Sequence, residues 1–153
     1  MKVVSLFSGA GGLDLGFQMA GHNIVWANDV YEDAVHTYQK NMGDHIALKD
    51  VHDISVDDVP DCDIVIGGFP CQGFSVANTK RHINDARNEL YKQLIRFIAA
   101  KKPKFFLAEN VKGLTNLGKG AVFKMILSDF EKLGYKVKGE VLNAADYGVP
   151  QTR

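Results

Sequence analysis

The chain has 153 residues and a mass of 16.9 kDa, the size of one ordinary domain and long enough to bury a core. Hydrophobic residues make up 46% and charged residues 24%, a globular composition that excludes a disordered or fibrous chain. Eighteen Lys plus Arg balance eighteen Asp plus Glu, which excludes binding to nucleic acid by bulk positive charge and leaves room only for a local basic face. No apolar run approaches the roughly 20 residues of a membrane span, and the apolar start (Val3, Val4, Leu6, Phe7) is too short for a signal peptide. Two cysteines without a secretion signal point to free thiols in a reducing compartment.

No repeat, low-complexity tract or Ser/Pro linker interrupts residues 1–153, so one domain is expected. Lys2–Phe7 reads as a buried strand that ends in the turn Gly9-Ala10-Gly11-Gly12. A helix from Leu13 to Ala20 follows, ended by Gly21. Asn23–Asn28 reads as a second strand, and Glu32–Asn41 as a helix with Ala34, Val35 and Tyr38 on one face. Ile46–Leu48 is a short third strand. Asp63–Ile66 is a fourth, continuously apolar and therefore covered on both faces. A long polar loop, Phe69 to Asn88, leads into a helix carrying Leu90, Leu94, Phe97 and Ile98. Phe105–Ala108 is a fifth strand. Ala121–Leu133 is an amphipathic helix (Val122, Met125, Ile126, Leu133) stopped by Gly134, and Val137–Leu142 reads as a sixth strand. This alternation predicts an α/β fold, a doubly wound and mostly parallel sheet with helices on both faces. Ligands of such sheets bind beyond the carboxyl ends of the strands, near the point where strand order reverses. The residues to watch are the Gly9–Gly12 loop, Asp29, Asp50, the Phe69–Gln72 loop and Glu109-Asn110.

Glycines at 9, 11 and 12 let the backbone approach a ligand. Asp29 lies twenty residues past Gly9, the offset at which a carboxylate accepts hydrogen bonds from a ribose. A nucleoside-containing ligand is implied; a dinucleotide is not. The third glycine of the dinucleotide fingerprint falls on Asp14, whose carboxylate at a helix N-terminus opposes a pyrophosphate. Cys71 stands between Pro70 and Gln72 in the glycine-flanked run Gly67-Gly68-Phe69-Pro70-Cys71-Gln72-Gly73-Phe74-Ser75, an unusual place for a packing residue and a suitable one for a nucleophile. Cys62, before an apolar strand, reads as packing. Glu109 directly follows the fifth strand, where a semi-apolar setting would equip it to donate a proton; a loop-bracing Glu109-Asn110 pair is the alternative. If the fourth and fifth strands are neighbours, about 4.8 Å apart, Cys71 and Glu109 face a common pocket. The five histidines show no metal-ligand spacing, and the cysteines form no CxxC pair, so no metal is expected. Lys80-Arg81-His82 is a solvated face or a place to meet phosphates.

Together Phe7-Ser8-Gly9-Ala10-Gly11-Gly12, Asn28-Asp29, Pro70-Cys71-Gln72, Glu109-Asn110-Val111 and Gln151-Thr152-Arg153 resemble the bacterial DNA (cytosine-5)-methyltransferase family in order and spacing. Pro-Cys-Gln followed by Glu-Asn-Val at this interval is the most specific part. The resemblance implies a Rossmann-like S-adenosyl-L-methionine-dependent methyltransferase fold and catalysis by Cys71, Glu109 and Arg153. It implies a cofactor site of Phe7, Ser8, Gly9, Ala10, Gly11, Gly12, Leu13, Asp29, Val30, Asp50, Val51, Pro70 and Leu90. In that site Phe7 lies against adenine, Asp29 on the ribose and Asp50 near the adenine amino group. Gln72, Ser75 and Asn110 would meet the substrate, double-stranded DNA with a flipped cytosine. The resemblance further implies work in a restriction-modification system, in the cytoplasm of a prokaryote and at its nucleoid. It also implies that the chain is an amino-terminal piece, ending before the last sheet strand and a target-recognition domain, which a second polypeptide would carry.

Three other readings compete. A remnant that binds cofactor or partner without turnover would keep the glycine loop but have no use for Cys71 and Glu109. A cysteine hydrolase would need a histidine base near Cys71, and only His82 shares its loop. A tRNA-cytosine methyltransferase would carry the same motifs.

Overall fold

The computed structural model describes residues 1–70 and 90–152. They divide into two compact units, Met1–Val111 and Lys112–Arg153. In the first, five strands form one parallel sheet: β1 (Lys2–Leu6), β2 (Asn23–Asp29), β3 (Ile46–Leu48), β4 (Ile64–Gly68) and β5 (Phe105–Glu109). Their order is β3-β2-β1-β4-β5, so the chain reverses direction across the sheet between β1 and β4. Helices α1 (Gly12–Met19), α2 (Glu32–Met42) and α3 (Leu90–Lys101) complete the unit.

Strand alternation assigns the faces. Val3, Ile24, Ile64 and Ile66 form one buried cluster, against which Leu13 and Phe17 of α1 pack. Ala27 and Ile46 join Val35 and Tyr38 of α2 on the same side. Gly67 follows Ile66 and so faces the other side. A Cβ built there would meet Leu94 of α3 at 3.2 Å. The sheet is therefore doubly wound, with Val3, Val4, Val65 and Ile66 wholly buried inside it. This is the architecture that the β/α alternation predicts.

Two expectations need correction. Glu109 does not follow a buried strand: β5 pairs only with β4 among the described residues, and Phe105 is 60% exposed. Among the described residues β5 has a neighbour on one side only and little packed on its faces, so its side chains stay exposed whatever their hydropathy. Nor is 137–142 a strand. In the second unit a 3-10 segment (Lys112–Gly120) leads into α4 (Ala121–Glu131), and a further turn spans Ala144–Tyr147. Among the described residues the stretch between them has no ladder partner, Val141 and Leu142 are exposed, and Gly139 lies under the Phe123 ring of α4. A lone extended segment cannot satisfy its backbone groups as a strand.

Candidate active site

Beyond the carboxyl ends of β1 and β4 lies a cleft of about 330 Å³, lined by Ser5, Leu6, Phe7, Ser8, Leu13, Asp14, Gly68 and Glu109. It occupies the place where strand order reverses, as doubly wound sheets require. The loop that borders it is held by short bonds. Phe7 leaves β1 in the left-handed region (φ 54), an uncommon conformation for a bulky residue. Ser8 donates from both N–H and Oγ to the Asn28 carbonyl, at 2.9 and 3.1 Å. Gly9, also left-handed at φ 55, donates its N–H to Asp29 Oδ2 at 2.7 Å.

The glycines differ in purpose. A Cβ at Gly9 would stand in open space, as would one at Gly12. Gly11 (φ 91) instead presses against α2, where a Cβ would meet Tyr38 and Met42 at 3.0 Å. Gly9 and Gly12 leave room above the loop; Gly11 lets it sit down on the helix.

Asp29 closes this arrangement from β2. Its Oδ1 accepts the Tyr31 N–H at 2.9 Å, so the carboxylate fastens the β1 loop to the β2 exit while keeping lone pairs for a further donor. Val30 beside it is exposed. Asp50 caps the turn Val51–Asp53: its Oδ1 accepts the His52 N–H at 2.9 Å and lies 2.7 Å from His52 Nδ1. The His52 backbone bond holds the Asp50 carboxyl below its ordinary value. Val51 is buried, and its carbonyl accepts from Arg96 of α3 at 2.7 Å.

Glu109 lies opposite Gly68 in the β4–β5 register, and its Oε2 would stand 3.1 Å from a Cβ at that position. The missing side chain at 68 is what lets the carboxylate reach the cleft. Asn110 donates from Nδ2 to the Phe69 carbonyl at 2.8 Å, bracing the β4 exit one residue before Pro70. Strands β4 and β5 are neighbours, as a shared pocket for their exits requires. Cys71, Gln72, Ser75, the Lys80-Arg81-His82 run and Arg153 lie outside the described residues.

Of the expected residues, Phe7, Ser8, Leu13 and Glu109 line the cleft. Gly9 and Asp29 hold its rim loop, Gly11 seats that loop on α2, and Asp50 and Val51 form a turn past β3. Ala10 and Pro70 lie on connections, Gly12 and Leu90 begin α1 and α3, and none of the four is among the lining residues. Sequence reasoning missed Ser5 and Gly68 as lining residues. It noted Asp14 only as an obstacle to pyrophosphate, although a carboxylate in an apolar helix turn was the signal. Among the described residues the lining carries no basic side chain, which suits a cationic ligand better than a polyphosphate. Among the described residues no cluster could hold a metal ion, and no helix is long and apolar enough to cross a membrane.

Comparisons with known proteins identify the family and the fold. The chain is 50% identical to the Type II methyltransferase M.NgoFVII of Neisseria gonorrhoeae over 99% of its own length and 41% of that protein's. It is 47% identical to the Type II methyltransferase M.FnuDI of Fusobacterium nucleatum, over 100% and 44%. It thus spans less than half the length of these curated relatives. A crystal structure of a protein assigned as a DNA modification methyltransferase encoded within a prophage (E. coli) matches with a TM-score of 0.81 at 31% identity, over 100% of this chain and 44% of that one. The S. pombe Dnmt2 methyltransferase shares the fold, with a TM-score of 0.77 at 23% identity over 100% and 48%. The family model described as C-5 cytosine-specific DNA methylase matches residues 1–153, and the chain belongs to that family.

Proposed function

We propose that the chain is the cofactor-binding and catalytic part of a DNA (cytosine-5-)-methyltransferase of a restriction-modification system. The observation that carries the reading is the Glu109 carboxylate reaching over Gly68 into a cleft bordered by the glycine loop, in a chain of this family. S-adenosyl-L-methionine would supply an electrophilic methyl group on sulfur. Phe7, Ser8 and Leu13 would line its place in the cleft, Asp29 would accept from its ribose, and Asp50 with Val51 would meet its adenine. The Asp29 carboxylate is already fixed by two backbone amides, so it is preorganised for that task.

Cys71 adds its thiolate to C6 of a cytosine flipped out of double-stranded DNA, and Glu109 offsets the charge that develops at N3. Breaking aromaticity makes C5 nucleophilic enough to take the methyl group that S-adenosyl-L-methionine would supply, the sulfur keeping the bonding pair as a thioether. Loss of the C5 proton to a base then expels the Cys71 thiolate and restores the ring. Gln72, Ser75, Asn110 and Arg153 are the residues proposed to meet the target base, with Asn110 also holding the β4 exit in place.

The test is trapping on DNA containing 5-fluorocytosine, where the C5 substituent cannot leave. Incubation with S-adenosyl-L-methionine and the carboxy-terminal portion of a relative is expected to yield a covalent protein–DNA band that Cys71→Ser abolishes. Trapping that survives Cys71→Ser would reject the assignment of the nucleophile.

A further inference from the structure

We propose that Asp14 sets the charge preference of the cleft, favouring the cationic methyl donor over its uncharged demethylated product. This rests on the reading of the cleft as the S-adenosyl-L-methionine site. Asp14 lies in the first turn of α1, is wholly buried and belongs to the wall of the cleft. Its Oδ1 accepts the Ser5 hydroxyl at 2.6 Å and its Oδ2 accepts the Tyr38 hydroxyl at 2.8 Å. The Tyr38 oxygen in turn lies 3.0 Å from His45 Nε2.

Two hydroxyl donors aimed at both oxygens match the ionised form of the carboxyl. They stabilise the anion without cancelling its charge, and no Lys or Arg forms an ion pair with Asp14 among the described residues. Burial holds its carboxyl above the ordinary value, an effect that the Ser5 and Tyr38 bonds offset only in part. A buried carboxylate is a poor way to stabilise a core, which an apolar residue of similar volume serves at least as well. Its field reaches farther in a low-dielectric wall than it would in water. A ligand in the cleft therefore meets that charge without touching Asp14.

The two ligands of a methyl transfer differ in that property. S-adenosyl-L-methionine carries a sulfonium, an ammonium and a carboxylate, one net positive charge. The product has lost the sulfonium and is net neutral. The carboxylate of Asp14 thus lowers the free energy of the donor complex more than that of the product complex, which biases the site toward productive loading and product release. Asp14 is a specificity-determining residue that acts through its field rather than by contact.

Calorimetry on the 153-residue chain compares three ligands: S-adenosyl-L-methionine, S-adenosyl-L-homocysteine, and sinefungin, in which an amine-bearing carbon restores a positive charge in place of the sulfonium. Asp14→Asn is expected to weaken both cations about tenfold relative to S-adenosyl-L-homocysteine. Asp14→Glu, which keeps the charge, is expected to retain the wild-type ratios. A uniform weakening of all three ligands by Asp14→Asn would mean a structural role only and would overturn the proposal. Should Asp14→Asn fail to fold, the wild-type chain decides: sinefungin binding no tighter than S-adenosyl-L-homocysteine overturns it equally. Wild-type chain that binds none of the three would instead reject the cofactor reading, and the proposal would fall with it.

Discussion

At the scale of single residues, side chains picked out for chemistry also serve as fasteners. Asp29 accepts from Gly9 and Tyr31, so it would present its carboxylate to a ribose only because backbone amides have already immobilised it. Asp29→Ala should weaken S-adenosyl-L-methionine binding by about 1–3 kcal/mol, the range for hydrogen bonds to a charged group. Unchanged affinity in calorimetry would remove Asp29 from the site. The surroundings of Cys62 act on its thiol in the same local way. Burial pushes the Cys62 thiol up to about 11, which leaves almost no thiolate at neutral pH. Limiting iodoacetamide at pH 7.5 is expected to label Cys71 first, with Cys62 modified only after unfolding. Peptide mapping that finds Cys62 labelled first in folded chain would reverse their roles.

At the scale of elements, spacing between strands decides what a carboxylate can reach. Glu109 crosses to the cleft over Gly68, whose missing Cβ would stand 3.1 Å from Oε2. Gly68→Ala asks a flexible carboxylate end to move, not the backbone, so stability should change by no more than about 0.5 kcal/mol. Methyl transfer by the complemented enzyme should fall several-fold, because the Glu109 carboxylate must shift to relieve the 3.1 Å contact and leaves its aligned position. A fully active Gly68→Ala enzyme would show that Glu109 needs no such gap. In the second unit the pressure is the reverse. A Cβ at Gly139 would overlap the rigid Phe123 ring, so Gly139→Ala should destabilise by about 1–3 kcal/mol, read by denaturant melting. The 137–142 stretch reads as a strand from its alternation alone, but strand formation depends on a neighbour that local sequence does not contain.

At the scale of the whole molecule, the sheet order brings β1 and β4 side by side, and their exits make the cleft. Net charge is zero, so sequence-independent attraction to phosphates is weak. The chain also spans 41% and 44% of two relatives that share about half its residues. The 153-residue chain by itself is therefore expected not to methylate DNA site-selectively, and adding the remaining portion of such a relative as a separate polypeptide is expected to restore transfer. Radiolabelled methyl transfer to unmethylated DNA measures both arms, and site-selective transfer by the chain alone would refute the expectation.

Local sequence was enough to locate the five strands and four α-helices of the described residues, because apolar runs and helical periodicity are properties of neighbouring residues. The Phe7–Gly12 loop, Asp29 and Glu109 stand out in the sequence for the same reason: each lies at or just past the carboxyl end of a strand, where ligands of a doubly wound sheet bind. Other features depended on residues far apart in the chain. Only strand order brings Gly68 under Glu109, and only the docking of α2 explains Gly11 and joins Tyr38 to Asp14 across 24 positions. Exposure of β5 was likewise hidden, because hydropathy records what a residue would bury and tertiary structure alone determines which edges are covered.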